Sequence, residues 1–168
     1  MFKPNTKMMV TMSVLLATEI VLTRFVSFST WNTRIGFGFV PIVLTALLFG
    51  MVPAAIVAAL GDFLGAVLFP IGPYFPGFTL TAALTGLTFG FFLHKKSSIV
   101  NTVIAVGIVQ FVLGLLLNTW WIHVLYSSPF AALLATRVVQ AVLLSVVQIA
   151  TIRVLIPLAD RLKRSVTA

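Results

Sequence analysis

The chain contains 168 residues, of which 60% are hydrophobic and only 8% are charged, and its mean hydropathy is +1.16. Soluble domains carry about 45–50% apolar residues, so this composition excludes a fold whose surface faces water. The net charge of +8 does not indicate nucleic-acid binding, because the basic residues lie between apolar runs rather than along one dense stripe. The chain has no cysteine, which excludes disulfides and thiolate metal sites.

Polar residues, prolines and glycines divide the chain into six apolar segments, each close to the length of about 20 residues that a membrane-spanning helix requires. The first segment is not a signal peptide, because it is long enough to span and contains Glu19 and Arg24. The chain has no internal repeat and no separate soluble domain. We therefore expect an all-α membrane protein, a single bundle of six transmembrane helices made by residues 1–168. The predicted spans are Met8–Phe28, Ile35–Met51, Pro53–Phe69, Gly77–Leu93, Ile99–Trp121 and Phe130–Ile156.

The positions of Lys and Arg predict the orientation of these spans. With a cytoplasmic N-terminus, Arg34 is the only basic loop residue outside, and eight basic residues lie inside: Lys3, Lys7, Lys95, Lys96, Arg153, Arg161, Lys163 and Arg164. Both termini are therefore expected in the cytoplasm, with the protein crossing the lipid bilayer of the inner membrane several times. Five rings would then form an outer aromatic belt, namely Trp31, Tyr74, Trp120, Trp121 and Tyr126.

Three arginines break the inside bias, because Arg24, Arg34 and Arg137 all fall in the outer half of the predicted bundle. A charged residue inside a membrane usually faces the bundle interior and marks a substrate path. Snorkelling to lipid phosphates is the alternative. The chain has only three acids, so the outer half has a surplus of positive charge, which suits a ligand that carries carboxylates.

Other polar side chains occur at similar depths. Asp62 lies near the middle of the third span. Gln110 lies in the middle of the fifth and Asn118 in its outer half, and Gln140 lies one turn after Arg137 on the same helical face. Each alone could be a hydrogen bond between helices. Together with nearby phenylalanines they predict an apolar, aromatic cavity with few polar groups, suited to a flat heterocycle; these are Phe37, Phe39, Phe63, Phe69, Phe75 and Phe78.

Small residues four positions apart indicate where helices approach closely, as at Ser13 and Ala17 on the first span and at Gly61 and Gly65 on the third. The third-span pair is expected inside the bundle, whereas the first-span pair could face another subunit.

The sequence has no phosphate-binding loop and no zinc-binding motif. We therefore expect no catalytic site, no metal site and no enzymatic activity.

The stretch from Arg34 to Leu93 closely resembles the folate-type substrate-binding (S) components of energy-coupling factor (ECF) vitamin transporters. The resemblance is carried by Arg34-Ile35-Gly36-Phe37, Leu44-Thr45-Ala46-Leu47-Leu48-Phe49-Gly50, Gly61-Asp62-Phe63-Leu64-Gly65 and Phe69-Pro70-Ile71-Gly72-Pro73-Tyr74-Phe75-Pro76-Gly77-Phe78-Thr79-Leu80-Thr81. The family has six helices with both termini inside. Its first helix carries an Ala-x-x-x-Ala strip that docks the coupling subunit; here Ser13 replaces the first alanine and Ala17 is the second.

This resemblance implies a binding subunit that captures folate from outside and delivers it to the cytoplasm. The implied partners are a coupling transmembrane subunit and two ATPase subunits, which alone hydrolyse ATP; no cofactor is implied. Asp62, Asn118 and Gln140 would bind the pterin ring, while Arg24, Arg34 and Arg137 would bind the glutamate tail, with Tyr74 also at the site. Residues 29–38 would cover the ligand. Three alternatives stay open: another vitamin or precursor such as a queuosine precursor or pantothenate, an ion-coupled small carrier, and a membrane enzyme or assembly factor.

Overall fold

The computed structural model describes residues 5–29, 34–95 and 97–167. Its helices are α1 (Thr6–Arg24), α2 (Phe39–Phe49), α3 (Met51–Leu68), α4 (Pro76–Leu93), α5 (Ile99–Gly107), α6 (Asn118–Tyr126) and α7 (Phe130–Thr167). A π-helical segment, Ile108–Leu117, joins α5 to α6, so that these three pieces form one continuous rod from Ile99 to Tyr126. Between α1 and α2, β1 (Phe28–Ser29) and β2 (Arg34–Ile35) form a two-residue antiparallel pair.

Contacts between neighbouring helices show that their directions alternate. The glycines of α4 pack on the backbone of α3, with Gly86 against Ala54 and Gly90 against Met51, so α4 runs antiparallel to α3. The rod runs antiparallel to α4. The indole of Trp121, near the end of the rod, donates to the hydroxyl of Thr81, near the start of α4, at 3.1 Å. The end of the bundle at which α4 begins is called the Pro76 end below, and the opposite end is called the His94 end.

The chain also alternates on the other side of the bundle. Gly61 and Gly65 of α3 pack on Glu19 and Arg24 of α1, so α1 runs parallel to α3 and ends at the Pro76 end. Gly38, before α2, packs on Thr23 near the end of α1, which places the start of α2 at the Pro76 end. Gly50, after α2, packs on the ring of His94, which places the end of α2 at the other end. Gly50 has a φ of 90°, a left-handed conformation that glycine adopts without strain and that lets α3 reverse direction at once.

The helix boundaries follow from local chemistry. Pro76 occupies the first turn of α4, where its missing N–H group costs nothing. The hydroxyl of Ser98 accepts a hydrogen bond from the backbone N–H of Asn101 at 3.2 Å and caps α5. At the His94 end, the Nδ1 atom of His94 lies 3.3 Å from the carbonyl oxygen of Leu47 in the last turn of α2.

The buried core lies where α2, α4, the rod and α7 meet, around Val43, Leu47, Phe89, Val106 and Ile152. The outer surface is also apolar, which is typical of helices that face lipid rather than water. Among the described residues, five helical stretches are long and apolar enough to cross a membrane: Thr6–Arg24, Met51–Leu68, Pro76–Leu93, Ile99–Tyr126 and Phe130–Lys163. The prediction of an all-helical, multi-pass membrane protein is confirmed.

Four predicted boundaries were wrong. The first span was expected to reach Phe28, but α1 ends at Arg24 and Phe28 lies in β1. The fifth was expected to end at Trp121, but the rod continues to Tyr126. The second span was expected at Ile35–Met51, but α2 covers only Phe39–Phe49, about 17 Å of helix against a bilayer core of about 30 Å. Ile35 instead belongs to β2, and the two glycines that follow it favour neither helix nor strand. The last span was expected to end at Ile156, yet α7 continues through Pro157 to Thr167, because a helix that leaves the apolar layer need not end there.

Candidate functional site

A cavity of about 210 Å³ lies among α4, the rod and α7. Six of the eleven described residues that line it are polar and the others are small or aliphatic, so its walls are more polar than those of a typical small-molecule site. The lining residues are Thr81, Thr85, Val109, Gln110, Gly114, Leu115, Asn118, Arg137, Gln140, Ala141 and Leu144.

The π-helical segment explains which residues of the rod reach this cavity. Val109 and Gln110 line it together with Gly114 and Leu115, four to five positions later. A π-helix closes its hydrogen bonds at i→i+5 rather than i→i+4, so it brings residues at this wider spacing to one face. Long π-helices are rare and frequently lie at functional sites.

Arg137 is the charged residue of the cavity wall, and it is 8% exposed. Its Nη2 atom donates to the carbonyl oxygen of Gly114 at 3.1 Å. Its Nε and Nη1 atoms are buried and have no hydrogen-bond partner within the described part of the chain. A buried charged donor without a partner is costly, so these two groups favour a ligand that brings hydrogen-bond acceptors.

Asn118 and Gln140 line the same cavity, as does the buried Gln110. The Oδ1 atom of Asn118 is buried and accepts no hydrogen bond from the described residues. The cavity therefore presents an unused acceptor as well as unused donors. A ligand with both kinds of group along one edge would match it.

A second polar group lies at the Pro76 end and consists of Arg24, Asp62, Tyr74 and Thr79; it is called the Arg24–Asp62 group below. The hydroxyl of Thr79 donates to the Asp62 carboxylate at 2.8 Å and lies 3.3 Å from the hydroxyl of Tyr74. Arg24 donates from Nη2 to the backbone carbonyl of Asp62 at 3.4 Å, rather than to its carboxylate. The Nε atom of Arg24 is buried without a partner among the described residues.

The glycines of the Gly61-Asp62-Phe63-Leu64-Gly65 motif make room for charged side chains of α1. A methyl group on Gly61 would lie 1.8 Å from Oε2 of Glu19, and one on Gly65 would lie 2.7 Å from Nε of Arg24. The predicted location of this strip inside the bundle is confirmed, since Gly61 and Gly65 are both buried. Their partners, however, are polar side chains and not a bare helix backbone.

The structure divides the predicted site residues into two sets. It brings Asn118, Arg137 and Gln140 together in the cavity, and it brings Arg24, Asp62 and Tyr74 together in the Arg24–Asp62 group. Helix α4 lies between them: Thr79 faces one set and Thr81 faces the other, because residues two apart point to opposite sides of a helix.

Three other predictions have separate outcomes. The backbone of Arg34 lies in β2, but its side chain, like the whole of Trp31, falls outside the described residues. Ser13 and Ala17 are exposed on α1 and face away from the bundle. Trp121 is not a free interfacial ring, because its indole bonds to Thr81 and its ring centroid lies 5.6 Å from that of Phe75.

The sequence did not reveal every residue of the cavity. Thr81, Thr85 and Gly114 line it and were missed. The four-residue spacing of the two threonines within an apolar span was the available signal. None of the six named phenylalanines lines this cavity, whose apolar walls are aliphatic.

A bundle of apolar helices that encloses a partly polar cavity around a buried cation defines a solute-binding protein of the membrane. The chain matches the family of ECF-type riboflavin transporter S components over residues 3–164, and it belongs to that family. The resemblance to ECF S components seen in the sequence is thus confirmed. These proteins are transport subunits and not enzymes.

Individual relatives were found by sequence and by structure. The chain is 42% identical to the folate transporter FolT of Clostridium novyi, across 79% of this chain and 77% of that protein. It is 29% identical to the folate transporter FolT of Leuconostoc mesenteroides, across 88% and 83% of the two chains. A crystal structure of FolT bound with folic acid superimposes with a TM-score of 0.85 at 32% identity, covering 90% of this chain and 93% of that one.

Proposed function

We propose that this protein is the S component that captures folate from outside the cell for an ATP-driven ECF transporter. The single observation that carries the proposal is Arg137, a buried cation in a cavity wall whose Nε and Nη1 atoms have no partner among the described residues. Folate carries two carboxylates on its glutamate tail and several acceptors on its pterin ring. Guanidinium N–H groups bind such acceptors through charge-assisted hydrogen bonds.

The size of the cavity bears on how folate would lie. At about 210 Å³ it is smaller than the ~300–1,000 Å³ of typical pockets for drug-sized ligands. Folate is long and has two chemically different ends, and the protein has two polar sets separated by α4. We infer that one end occupies the cavity and that the other reaches the Arg24–Asp62 group as the helices adjust.

The roles assigned to the site residues remain part of this proposal. Because α4 separates the two sets, each would bind a different end of folate: Asp62 would bind the pterin edge with Tyr74 and Arg24 beside it, and Arg137 would bind the tail with Asn118 and Gln140 beside it. Arg34 stays assigned to the ligand. The expected grouping of Asn118 and Gln140 with the pterin ring, and of Arg24 with the tail, does not fit this separation. The carboxylate of Asp62 suits the paired N–H donors of an aminopyrimidine, because an ionised carboxylate only accepts.

The membrane topology belongs to the proposal as well. We infer six crossings, with α2 and its flanking extended residues making the second, and both termini in the cytoplasm of a bacterium. Alternating helix directions and the exposed Lys95 and Arg153 toward the His94 end support this orientation under the positive-inside rule. The implied partners are the coupling transmembrane subunit, which would contact the outward-facing Ser13 and Ala17, and two ATPase subunits.

Riboflavin is the second candidate ligand, because the description of the matched family names it. Riboflavin has no carboxylate, so it would leave the charge of Arg137 without an anionic partner. Both named relatives, in contrast, are folate transporters. These observations favour folate.

Binding by the purified full chain in detergent tests the proposal. Folic acid should bind at least about 100-fold more tightly than riboflavin, pantothenate or a queuosine precursor, a difference of about 2.7 kcal/mol. Tighter binding of one of the other compounds would replace folate as the ligand. Uptake by cells should require the coupling and ATPase subunits, and uptake into liposomes by this chain alone would favour an ion-coupled carrier.

A further inference from the structure

Thr23, near the end of α1, contacts both sides of the β1–β2 pair. A methyl group on Gly38, after β2, would lie 2.2 Å from Oγ1 of Thr23. On the other side, the hydroxyl of Ser27 donates to the carbonyl oxygen of Thr23. Ser27 in turn packs on Gly36, where a methyl group would lie 2.5 Å from its Cβ atom. The chain entering β1 and the chain leaving β2 are therefore held against one turn of α1.

The hydroxyl of Thr23 is itself oriented by Glu19. Oγ1 of Thr23 donates to Oε1 of Glu19 at 2.9 Å, and the Glu19 carboxylate rests on Gly61 of α3. Glu19 is 4% exposed, and it is the buried residue of α1. It therefore determines which face of α1 turns toward α3.

The next residue along the chain shows what this contact positions. Arg24 follows Thr23 directly, lies on Gly65 and reaches the backbone of Asp62. β2 ends at Ile35, three residues before Gly38. A shift of Thr23 would thus move Arg24, which the proposed function assigns to the ligand, together with the backbone of β2.

We propose that Glu19 and Thr23 are positioning residues of the binding site: they fix the rotation of α1 and the base of the β1–β2 pair, and so keep Arg24 in place for the ligand. The inference rests on the proposed function, since the ligand is taken to be folate. Neither residue needs to touch the ligand. Loss of the hydrogen bond between Thr23 and Glu19 should therefore shorten the lifetime of the complex with the ligand. It should leave the fold and the fraction of binding-competent protein unchanged.

The central variant is Thr23→Val, which keeps the shape of the side chain and removes its hydroxyl. Its matched control is Thr18→Val on the same helix, because the Thr18 hydroxyl is exposed and donates only to the carbonyl of Val14 at 2.8 Å. Thr23→Ser keeps the hydroxyl and should behave like the parent. We expect ligand to dissociate about tenfold faster from Thr23→Val, as for one lost hydrogen bond, and at the parental rate from the control.

A second pair of variants tests the contact with Gly38. Gly38→Ala places a methyl group against Oγ1 of Thr23 and should also speed dissociation. Thr23→Ala removes the hydroxyl that the methyl meets, so both changes disturb the same contact. The double variant should therefore lose ligand more slowly than the product of the two single effects would give. A general folding defect would instead lower the fraction of protein that binds, without changing the dissociation rate of the rest.

The experiment measures dissociation rate and binding-competent fraction by displacement of bound vitamin from the full chain in detergent. It uses folic acid, or riboflavin if the parent binds only riboflavin. Binding of riboflavin alone would end the proposal for folate, but the dissociation rate of riboflavin would still test the positioning residues. Equal dissociation rates for Thr23→Val and Thr18→Val, or effects of Gly38→Ala and Thr23→Ala that simply multiply as for independent sites, would overturn the inference. A parent that binds neither vitamin would overturn the inference and the proposed function together.

Discussion

Arg137 on α7 donates from its Nη2 atom to the carbonyl oxygen of Gly114, 3.1 Å away in the π-helical segment. One nitrogen of the guanidinium is thus fixed to backbone, while Nε and Nη1 are left unbonded by the described residues. A side chain oriented in this way needs no rearrangement to receive a ligand. Binding sites gain affinity when such ordering is complete before the ligand arrives.

The first prediction is that Arg137→Met weakens folic acid binding by about 2–5 kcal/mol, as expected when one partner of a buried, hydrogen-bonded charge pair is removed. Methionine keeps much of the apolar volume, and it removes a buried charge that has unbonded donors. The melting temperature without ligand should therefore stay the same or rise. Arg153→Met, at an exposed position of the same helix, is the control for binding. Parental affinity in Arg137→Met would exclude Arg137 from the site.

The second prediction concerns the glutamate tail of folate. Folic acid should bind more tightly than pterin alone or an analogue with an amidated tail, by about 1.5–3 kcal/mol for one charge-assisted contact. Competition binding with the parent protein measures this difference. If Arg137 holds the tail, the gap between folic acid and the amidated analogue should shrink in Arg137→Met. Equal affinities of all three compounds for the parent would show that no arginine binds the tail.

Hydropathy predicted most of the helices because a bilayer demands long apolar segments. It failed for residues 35–38 because it counts glycines in an apolar stretch as part of a span, although they do not favour helix. It also could not show the π-helical winding of Ile108–Leu117, since the same residues would read as an ordinary α-helix.

The candidate site was only half predictable for a related reason. The sequence gives the depth of a polar residue in the membrane, so Asp62, Asn118 and Arg137 were all expected at the ligand. It does not give the rotation and neighbours of each helix. Helix α4 separates Asp62 from the other two, and its Thr79 and Thr81 face opposite sides. That separation depends on packing between helices distant in sequence.

The third prediction separates ligand capture from transport. Ala17 is exposed on α1, so Ala17→Phe should leave folic acid binding by the purified protein unchanged. The bulky ring should block close approach of the coupling subunit and abolish uptake in cells that express the whole transporter. Val139→Phe, at a position of α7 that is 63% exposed, should affect neither measurement. If Ala17→Phe also lost binding, Ala17 would have a role within the bundle.

The fourth prediction compares two glycines by stability. Gly90→Ala should lower the free energy of unfolding by about 1–3 kcal/mol, the usual effect of overpacking, because its methyl group would lie 2.1 Å from the Cα atom of Met51. Gly107→Ala meets no atom within 4 Å and should be neutral or stabilising by up to ~1 kcal/mol, since alanine favours helix. Thermal unfolding in one detergent measures both. A more stable Gly90→Ala would contradict the close packing of α3 against α4.

The last prediction tests Asp62, whose carboxylate accepts a hydrogen bond from Thr79 at 2.8 Å and whose backbone carbonyl, rather than its carboxylate, receives Arg24. Because the carboxylate does not neutralise that arginine, Asp62→Asn should leave no new unpaired charge. The ligand-free melting temperature should therefore change little. The amide replaces one acceptor oxygen with a donor, so it should mismatch the aminopyrimidine edge of folate and weaken binding by about 2–5 kcal/mol. Thr79→Val is the control, because it removes the donor that orients Asp62 and keeps the carboxylate; it should weaken binding less. A large loss of ligand-free stability in Asp62→Asn would instead show that the carboxylate balances a buried arginine, and an Asn variant that melts and binds like the parent would remove Asp62 from both roles.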